Sequence, residues 1–351
     1  MHKIFLKSKN VKKKNFPYII AEAGVNHECS MSKAKKMISL ASSAGADAVK
    51  FQTYKAELIA SKNSPYYWDL KSEKSKNQYQ LFKKFDKFEK ENYVELSKYC
   101  KKKRVEFMST PFDEKAVEFL NPIMNIYKIA SADINNLPLI EHIASKRKPV
   151  ILSTGASSLQ EIETSVKILK QNGCKDITLM HCILNYPTKN INANLNMIMD
   201  LKDKFPKCTI GYSDHTIPDT NMIILLNAYL KGAKVIEKHF SYNKRLKGND
   251  HYHSMDHNDL KVFVKNLELI HCTSGNKKKK YLESEKTARR NARRSVVLRR
   301  SVEKGQILKK ETLITKRPGT GIKPTYWYKL IGKKTRKRLQ KDHLLKWSDL
   351  K

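Results

Sequence analysis

The strongest constraint on this chain is a recurrence. Over the first 240 residues, about eight short apolar runs each end in polar or charged residues, and each is followed by a helix-like stretch. Strands alternating with helices call for parallel pairing. Eight such units close into a β/α barrel whose chemistry lies at the rim formed by the strands' C-terminal ends. The runs end at Glu22, at Lys50 and Gln52, at Ser109 and Thr110, at Lys128 and Ser131, at Ser153, near Asn185 and Tyr186, at Ser213 and His215, and at Glu237 and His239. Side chains two apart along a strand share a face, so Lys50/Gln52, Ser213/His215 and Glu237/His239 each present two functional groups to one side. A purely structural interior would carry Val, Ile or Leu there.

The strands are predicted over residues 18–21, 48–51, 105–108, 126–130, 150–152, 177–181, 208–211 and 235–237. Between them lie amphipathic stretches such as 32–44. There Ser32 is positioned to cap, Ala34, Met37, Ile38, Ala41 and Ala44 keep helical spacing, and Gly45 stops the helix. The insert 55–91 is too long for an ordinary βα loop, and its Tyr66, Tyr67, Trp68 and Tyr79 predict an ordered element at the rim. A barrel uses about 250 residues, so 351 residues leave room for one small module. The barrel domain is predicted over 1–272, with its last helix at 259–271. A linker rich in Lys, Ser, Glu and Arg follows at 273–291, then a C-terminal domain over 292–351 with a strand at 295–298, a turn at 303–305 and a loop at 317–322.

No apolar run approaches the roughly 20 residues that span a bilayer, and residues 1–15 are basic without the apolar centre of a signal peptide. Six scattered cysteines with no C-x-x-C pair argue against a disulfide framework or zinc ribbon. Free thiols in a reducing cytoplasm are expected. The net charge of +36 raises the prospect of nucleic acid or an anionic surface as partner. Residues 273–351 hold 26 Lys and Arg against 6 Asp and Glu, a net of +20, which leaves +16 for the preceding 272 residues. Lysines are spread over the outer helices and no nucleic-acid motif accompanies them, so the charge reads as solvated surface rather than a specific nucleic-acid site.

The motifs Ile20-Ala21-Glu22-Ala23-Gly24-Val25-Asn26-His27, Lys50-Phe51-Gln52-Thr53, Ser109-Thr110-Pro111-Phe112-Asp113, Tyr127-Lys128-Ile129-Ala130-Ser131, Gly211-Tyr212-Ser213-Asp214-His215-Thr216 and Ile236-Glu237-Lys238-His239-Phe240 occur in order along the chain. Taken together they resemble the sialic acid synthase family. Lys316-Arg317-Pro318-Gly319-Thr320-Gly321 resembles the loop of the antifreeze-like (SAF) domain that ends these enzymes. The resemblance implies a (β/α)8 TIM-type barrel followed by a SAF domain, and a homodimer in which each SAF domain covers the partner's barrel. It also implies condensation of phosphoenolpyruvate with an N-acylated amino sugar such as N-acetylmannosamine or a diacetamido hexose.

Under that resemblance, His215 and His239 are the candidate ligands of a divalent metal, Mn²⁺ or Mg²⁺, although imidazoles equally suit Zn²⁺ or Co²⁺. Lys50 and Lys128 supply charge for the phosphate and carboxylate of phosphoenolpyruvate, and Thr110, Ser131, Ser153 and Ser213 supply hydroxyls. A lysine at a barrel mouth can instead form a Schiff base, for which Lys128 is the one candidate, but the histidine pair argues against that chemistry. Glu22 is a candidate general base or hydroxyl contact, and Glu237 orients water or a sugar hydroxyl. Gln52, Tyr186 and Asp250 are sugar contacts, Asn185 a further substrate contact, and Arg317 the group offered by the C-terminal domain. Leu184 stands where the family commonly has a small polar residue, and Asn249 where proline is usual. Two other readings stay open: a glycan-, ice- or nucleic-acid-binding protein on an inactive barrel, and a synthase acting on a sugar phosphate.

Overall fold

Each apolar run becomes a strand: β1 (Tyr18–Gly24), β2 (Ala48–Thr53), β3 (Glu106–Pro111), β4 (Tyr127–Ile129), β5 (Val150–Ser153), β6 (Ile177–Cys182), β7 (Thr209–Asp214) and β8 (Val235–His239). The computed structural model describes residues 16–68, 70, 73–248 and 250–351; the basic stretch 1–15 and Asn249 lie outside the described residues. Most strands run one to three residues past their expected ends. Their polar rim residues stay in register with neighbours: Glu22 pairs with Lys50 and His239, and Ser213 with Glu237. β4 is shorter than expected, and Ser131 belongs to a single 3₁₀ turn (Ser131–Asp133) at its exit.

All ladder pairs among these strands are parallel, in the order β3-β2-β1-β8-β7-β6-β5-β4, and β3 stands beside β4 where the sheet comes round on itself. This is a nearly closed TIM-type barrel. The two-residue period divides every strand between two environments. Ile19, Ala21, Val49, Phe51, Phe107, Leu152, Leu179 and Ile236 face the surrounding helices and form the main core. Tyr18, Ile20, Ala48, Met108, Ile126, Ile151, Met180 and Val235 fill the barrel interior as an apolar floor. The next inward positions along the same strands are Glu22, Lys50, Thr110, Lys128, Ser153, Cys182, Ser213 and Glu237. The functional layer therefore sits directly on the floor. Gly211 takes an inward place beside the large Met180, where a Cβ would lie 2.3 Å from the Met180 sulfur and 2.6 Å from the Val235 carbonyl oxygen.

The helix expected at 32–44 is Met31–Ala44, and its cap is Ser30 rather than Ser32: the Ser30 side chain accepts from the Lys33 amide, while Ser32 lies inside the helix. The long insert contains the helices Ala56–Ile59 and Gln78–Phe85. A bridge between Pro65 and Asn77 and a bond from the Trp68 ring N–H to the Ser75 carbonyl (3.2 Å) add order to it. The last helix of the barrel unit, His257–Ser274, runs three residues beyond its expected end.

The chain separates into two compact units, Met1–Ser274 and Gly275–Lys351. In the second, a helix (Lys286–Ala292) occupies part of the stretch expected to be linker. β9 (Ser295–Leu298) then pairs antiparallel with β10 (Leu313–Lys316). Its own core comprises Val296, Leu298, Val302, Leu308, Leu313, Ile322, Leu330, Leu339, Leu345 and Leu350. The loop after β10 is tied down within this unit. Ser295 Oγ donates to the Pro318 carbonyl (2.7 Å) and accepts from the Gly321 amide (2.8 Å), and the Gly319 amide donates to the Arg290 carbonyl (2.8 Å). All six cysteines are free thiols, and no described helix is long and apolar enough to cross a membrane.

Candidate active site

Charge at the bottom of the site is arranged in a row. Lys50 Nζ lies 2.5 Å from Glu22 Oε2, 3.1 Å from the Thr110 hydroxyl and 3.8 Å from Glu237 Oε1. Lys128 Nζ approaches the same Glu237 oxygen at 3.7 Å, and the Ser213 hydroxyl donates to it at 3.1 Å. Gln52 donates to Glu22 Oε1 at 3.0 Å. All four ionisable groups are buried. Two lysines facing two carboxylates are neutral in sum, so neither lysine waits as a bare cation.

Their environments push the two carboxyls apart. Burial holds Glu22 above the ordinary carboxylate range against the pull of Lys50, and Glu237 adds to the rise. Burial opposes ionisation of Glu237 too, but Lys128 and Lys50 on either side take its carboxyl down to about 2. Lys128 is lowered by burial, whereas at Lys50 the same cost is outweighed by Glu22 and Glu237, which leave it raised. A carboxyl poised to exchange a proton thus sits near one locked in its ionised form, the pattern expected of an acid/base site.

Above this row the site turns from lysine to imidazole. Gly24, at φ +52°, lets the chain turn sharply after Glu22; a Cβ there would stand 3.4 Å from both Gln52 Nε2 and Glu22 Oε1 and 3.7 Å from Asp250 Oδ2, so these three groups converge around it. Asp250 Oδ2 lies 3.2 Å from His239 Nδ1. Burial lowers His239, but Asp250 and then Glu22 raise it overall; the same contact drives Asp250 well below its usual range. The His215 ring lies 5.3 Å from that of His239, centroid to centroid, and the Tyr186 ring lies 4.1 Å from His215. His215 Nδ1 is 2.8 Å from the Ile183 carbonyl oxygen, which leaves Nε2 as the nitrogen with a lone pair to offer.

Most of the predicted residues are therefore brought together: Glu22, Lys50, Gln52, Thr110, Lys128, Ser213 and Glu237 in one network, and Tyr186, His215, His239 and Asp250 in the layer above. Ser153 Oγ is buried without a hydrogen-bond partner on the same inward face, and Ser131 Oγ accepts from the Gly155 amide at 2.9 Å. Asn185 is exposed and Leu184 half-buried. Arg317 lies in the other compact unit, exposed on its fixed loop.

Two features went unread in the sequence. Asp214 and Lys238 alternate with the inward residues of β7 and β8, yet both are buried and paired at 2.6 Å. Lys238 Nζ also donates to the Thr216 carbonyl (2.6 Å), and Asp214 accepts from the Thr216 amide (3.0 Å), the Thr216 hydroxyl (2.9 Å) and the Tyr212 hydroxyl (2.8 Å). This clamp joins the two strand ends that carry Ser213, His215, Glu237 and His239. Charged residues between functional ones on a strand were its only trace in the sequence. The second is His253, three residues after Asp250 in a single 3₁₀ turn (His251–His253) and fully buried 4.7 Å, ring to ring, from His239. Burial, with His239 adding to it, keeps His253 neutral.

The donor set suits a divalent cation. Among the described residues, ligand atoms of His239, Asp250 and His253 all lie within 4.8 Å of one another, and both buried His253 nitrogens lack a hydrogen-bond partner. Imidazole with carboxylate is a donor combination that first-row divalent ions accept.

Residues 37–279 match the NeuB family and residues 293–351 the SAF domain. The chain is 39% identical over 335 residues to the N,N'-diacetyllegionaminic acid synthase of Campylobacter jejuni, covering 93% of this chain and 98% of that protein. To the enzyme of the same description from Legionella pneumophila it is 38% identical over 340 residues, covering 95% and 94%. The crystal structure of N-acetylneuraminic acid synthetase from Leptospira borgpetersenii superposes with a TM-score of 0.68 at 37% identity, covering 78% of this chain and 90% of that one. These likenesses put the protein among the nonulosonic acid synthases, here a TIM-type barrel ending in a SAF domain. Within that class the chain belongs to the NeuB family.

Proposed function

We propose that the protein condenses phosphoenolpyruvate with the open-chain aldehyde of an N-acylated amino hexose and water, giving a nonulosonic acid and inorganic phosphate. The observation that carries this reading is the buried row Lys128–Glu237–Lys50–Glu22 standing beside the imidazole layer, an anion site adjoining an electrophile site.

Lys50 and Lys128 bind the phosphate and carboxylate of phosphoenolpyruvate, with hydroxyls from Thr110, Ser131, Ser153 and Ser213. Because both lysines already face carboxylates, the incoming anion exchanges for them rather than adding to a bare positive site. A bond forms between C3 of phosphoenolpyruvate and the aldehyde carbon, water adds at C2, and the C2–O bond to phosphate then breaks. Water gives up two protons: Glu22 takes the first as water adds, the former aldehyde oxygen gains one, and the second leaves with the phosphate as the C2–O bond breaks. Glu237, held ionised, orients the water or a sugar hydroxyl. Gln52, Tyr186 and Asp250 contact the sugar, with Asn185 at the solvent edge. His215 and His239 would hold a divalent ion, Mn²⁺ or Mg²⁺, which would supply polarisation of the aldehyde oxygen. Arg317 completes the site from the partner chain of a homodimer, a role supported by its exposure on a loop that three hydrogen bonds hold rigid.

Phosphate release from phosphoenolpyruvate tests this against N-acetylmannosamine, its 6-phosphate and diacetamido hexoses. Release dependent on one free sugar supports the proposal; dependence on the 6-phosphate moves the substrate class; release with none of them overturns it.

A further inference from the structure

We propose that His253 is a third imidazole ligand of the divalent ion, so that His215, His239 and His253, with Asp250 alongside, select a first-row transition ion strongly over Mg²⁺. This rests on the metal reading above and adds a ligand to it. A buried imidazole normally satisfies both ring nitrogens, one as donor and one as acceptor. His253 is 0% exposed and satisfies neither. Two buried polar atoms with no protein partner are unfavourable unless a ligand meets them.

The spacing points to an ion. Two ligands at about 2.1 Å from one centre stand roughly 3 to 4.2 Å apart, depending on the angle between them, and the ligand atoms of His239, Asp250 and His253, all within 4.8 Å of one another, need to close only slightly to reach that range. The His253 ring lies 6.3 Å from that of His215 and 4.7 Å from that of His239, and His215 and His239 are 5.3 Å apart, so the three rings form a compact triangle beside Tyr186.

The segment carrying His253 is also pinned before any ion arrives. Ser241 Oγ bonds His251 Nδ1 (2.8 Å), Tyr252 donates to the Tyr186 carbonyl (2.9 Å), Ser254 donates to the Asp250 carbonyl (2.6 Å), and Asn26 donates to both Ser254 Oγ and the Phe240 carbonyl (3.0 Å each). A ligand held this way loses little freedom on binding. Mg²⁺ prefers oxygen donors and keeps much of its water, whereas imidazole favours transition ions. Each histidine added to the set widens that gap.

His253 also packs edge-on against His239 and Tyr252, so a packing role is the competing explanation. His253→Phe keeps that packing and removes the nitrogens. The test uses metal-stripped full-length protein titrated with Mn²⁺, free ion being followed by electron paramagnetic resonance, and with Co²⁺, followed by visible absorption. Even a residue that only supports a metal ligand typically costs 10–100-fold in affinity when lost. His253→Phe and His253→Ala should therefore weaken Mn²⁺ and Co²⁺ by more than about 100-fold, alter the Co²⁺ spectrum and leave Mg²⁺ nearly unchanged. Wild-type affinity and an unchanged spectrum in folded His253→Phe would overturn the proposal. If His215→Ala abolishes binding in the same series, that outcome leaves the two-histidine reading standing. A wild-type protein that binds no ion overturns both.

Discussion

Replacing Lys238 with methionine removes one charge from the clamp between β7 and β8 while nearly conserving side-chain length. Lys238 and Asp214 are each about 1% exposed, and their 2.6 Å contact leaves no room for water. Removing one partner of a buried ion pair costs about 3–5 kcal/mol, because the other charge stays buried. Asp214 keeps three donors, from Tyr212 and from the amide and hydroxyl of Thr216. That places the expected loss at the low end, about 3 kcal/mol. A domain of this size shifts its Tm by about 2–4 °C per kcal/mol, so the fall should be roughly 6–12 °C. Asp214 has a depressed folded pKa; although burial opposes this, Lys238 is the main group that lowers it. Its contribution is present above the unfolded carboxylate value, about 3.9, and is lost as pH falls through the folded value. Lys238→Met should accordingly flatten the acid side of the stability profile. The assay is urea and thermal unfolding of the full-length protein at several pH values. The double variant Lys238→Met/Asp214→Leu should recover part of the loss, since an apolar pair leaves no buried charge. A single-variant loss below about 1 kcal/mol, or a double variant as unstable as the sum of its parts, would refute the clamp.

Gly211→Ala should destabilise the barrel by about 1–3 kcal/mol or more in urea unfolding, with no rescue from Met180→Ala, because the Val235 carbonyl 2.6 Å from the new Cβ is backbone; rescue would show that only the side chain was in the way. Glu22 has a raised pKa from burial, so kcat/KM should fall on acidification through a limb lying above the ordinary glutamate value of about 4.3. Glu22→Gln should abolish that limb and lower the rate about 10²–10⁴-fold, and a pH–rate profile with the limb intact would remove Glu22 as the base. Exhaustive chelation should stop turnover and Mn²⁺ should restore it, with full activity in metal-free protein as the contrary result. Mixing Arg317→Ala chains with His215→Ala chains should regain activity if the arginine acts across a dimer; no recovery after demonstrated subunit exchange would leave Arg317 acting within its own chain.

The barrel was legible because parallel strands buried on both faces read as continuous apolar runs, and because each run stopped at a group with chemistry in it. Strand ends were set too early for a physical reason: Glu22, Ser213 and His239 look like loop residues by polarity but remain in register with neighbouring strands. Ser32 reads as the cap because it stands just before the apolar spacing, whereas the Lys33 amide donates to Ser30 and places the helix start two residues earlier. Period two placed Lys50 and Gln52 on one face without revealing that Lys50 pairs with Glu22, which changes an open cationic cradle into a neutral row that exchanges partners. His253 sits in a loop, where spacing carries no direction. Its closeness to His239 arises from the turn after Asp250 and the hydrogen bonds that hold it.

The central claim, that this rim joins phosphoenolpyruvate to an amino sugar, is tested most directly by mass spectrometry of the product formed with the full-length protein, Mn²⁺ and the panel of N-acylated hexoses in ¹⁸O-water. The account predicts a 2-keto acid three carbons longer than the sugar, heavy oxygen entering at C2, and phosphate released without it. Lys50→Met should form no such product. Failure of any sugar to yield the longer acid with folded wild-type protein, or release of labelled phosphate alone, would contradict the account.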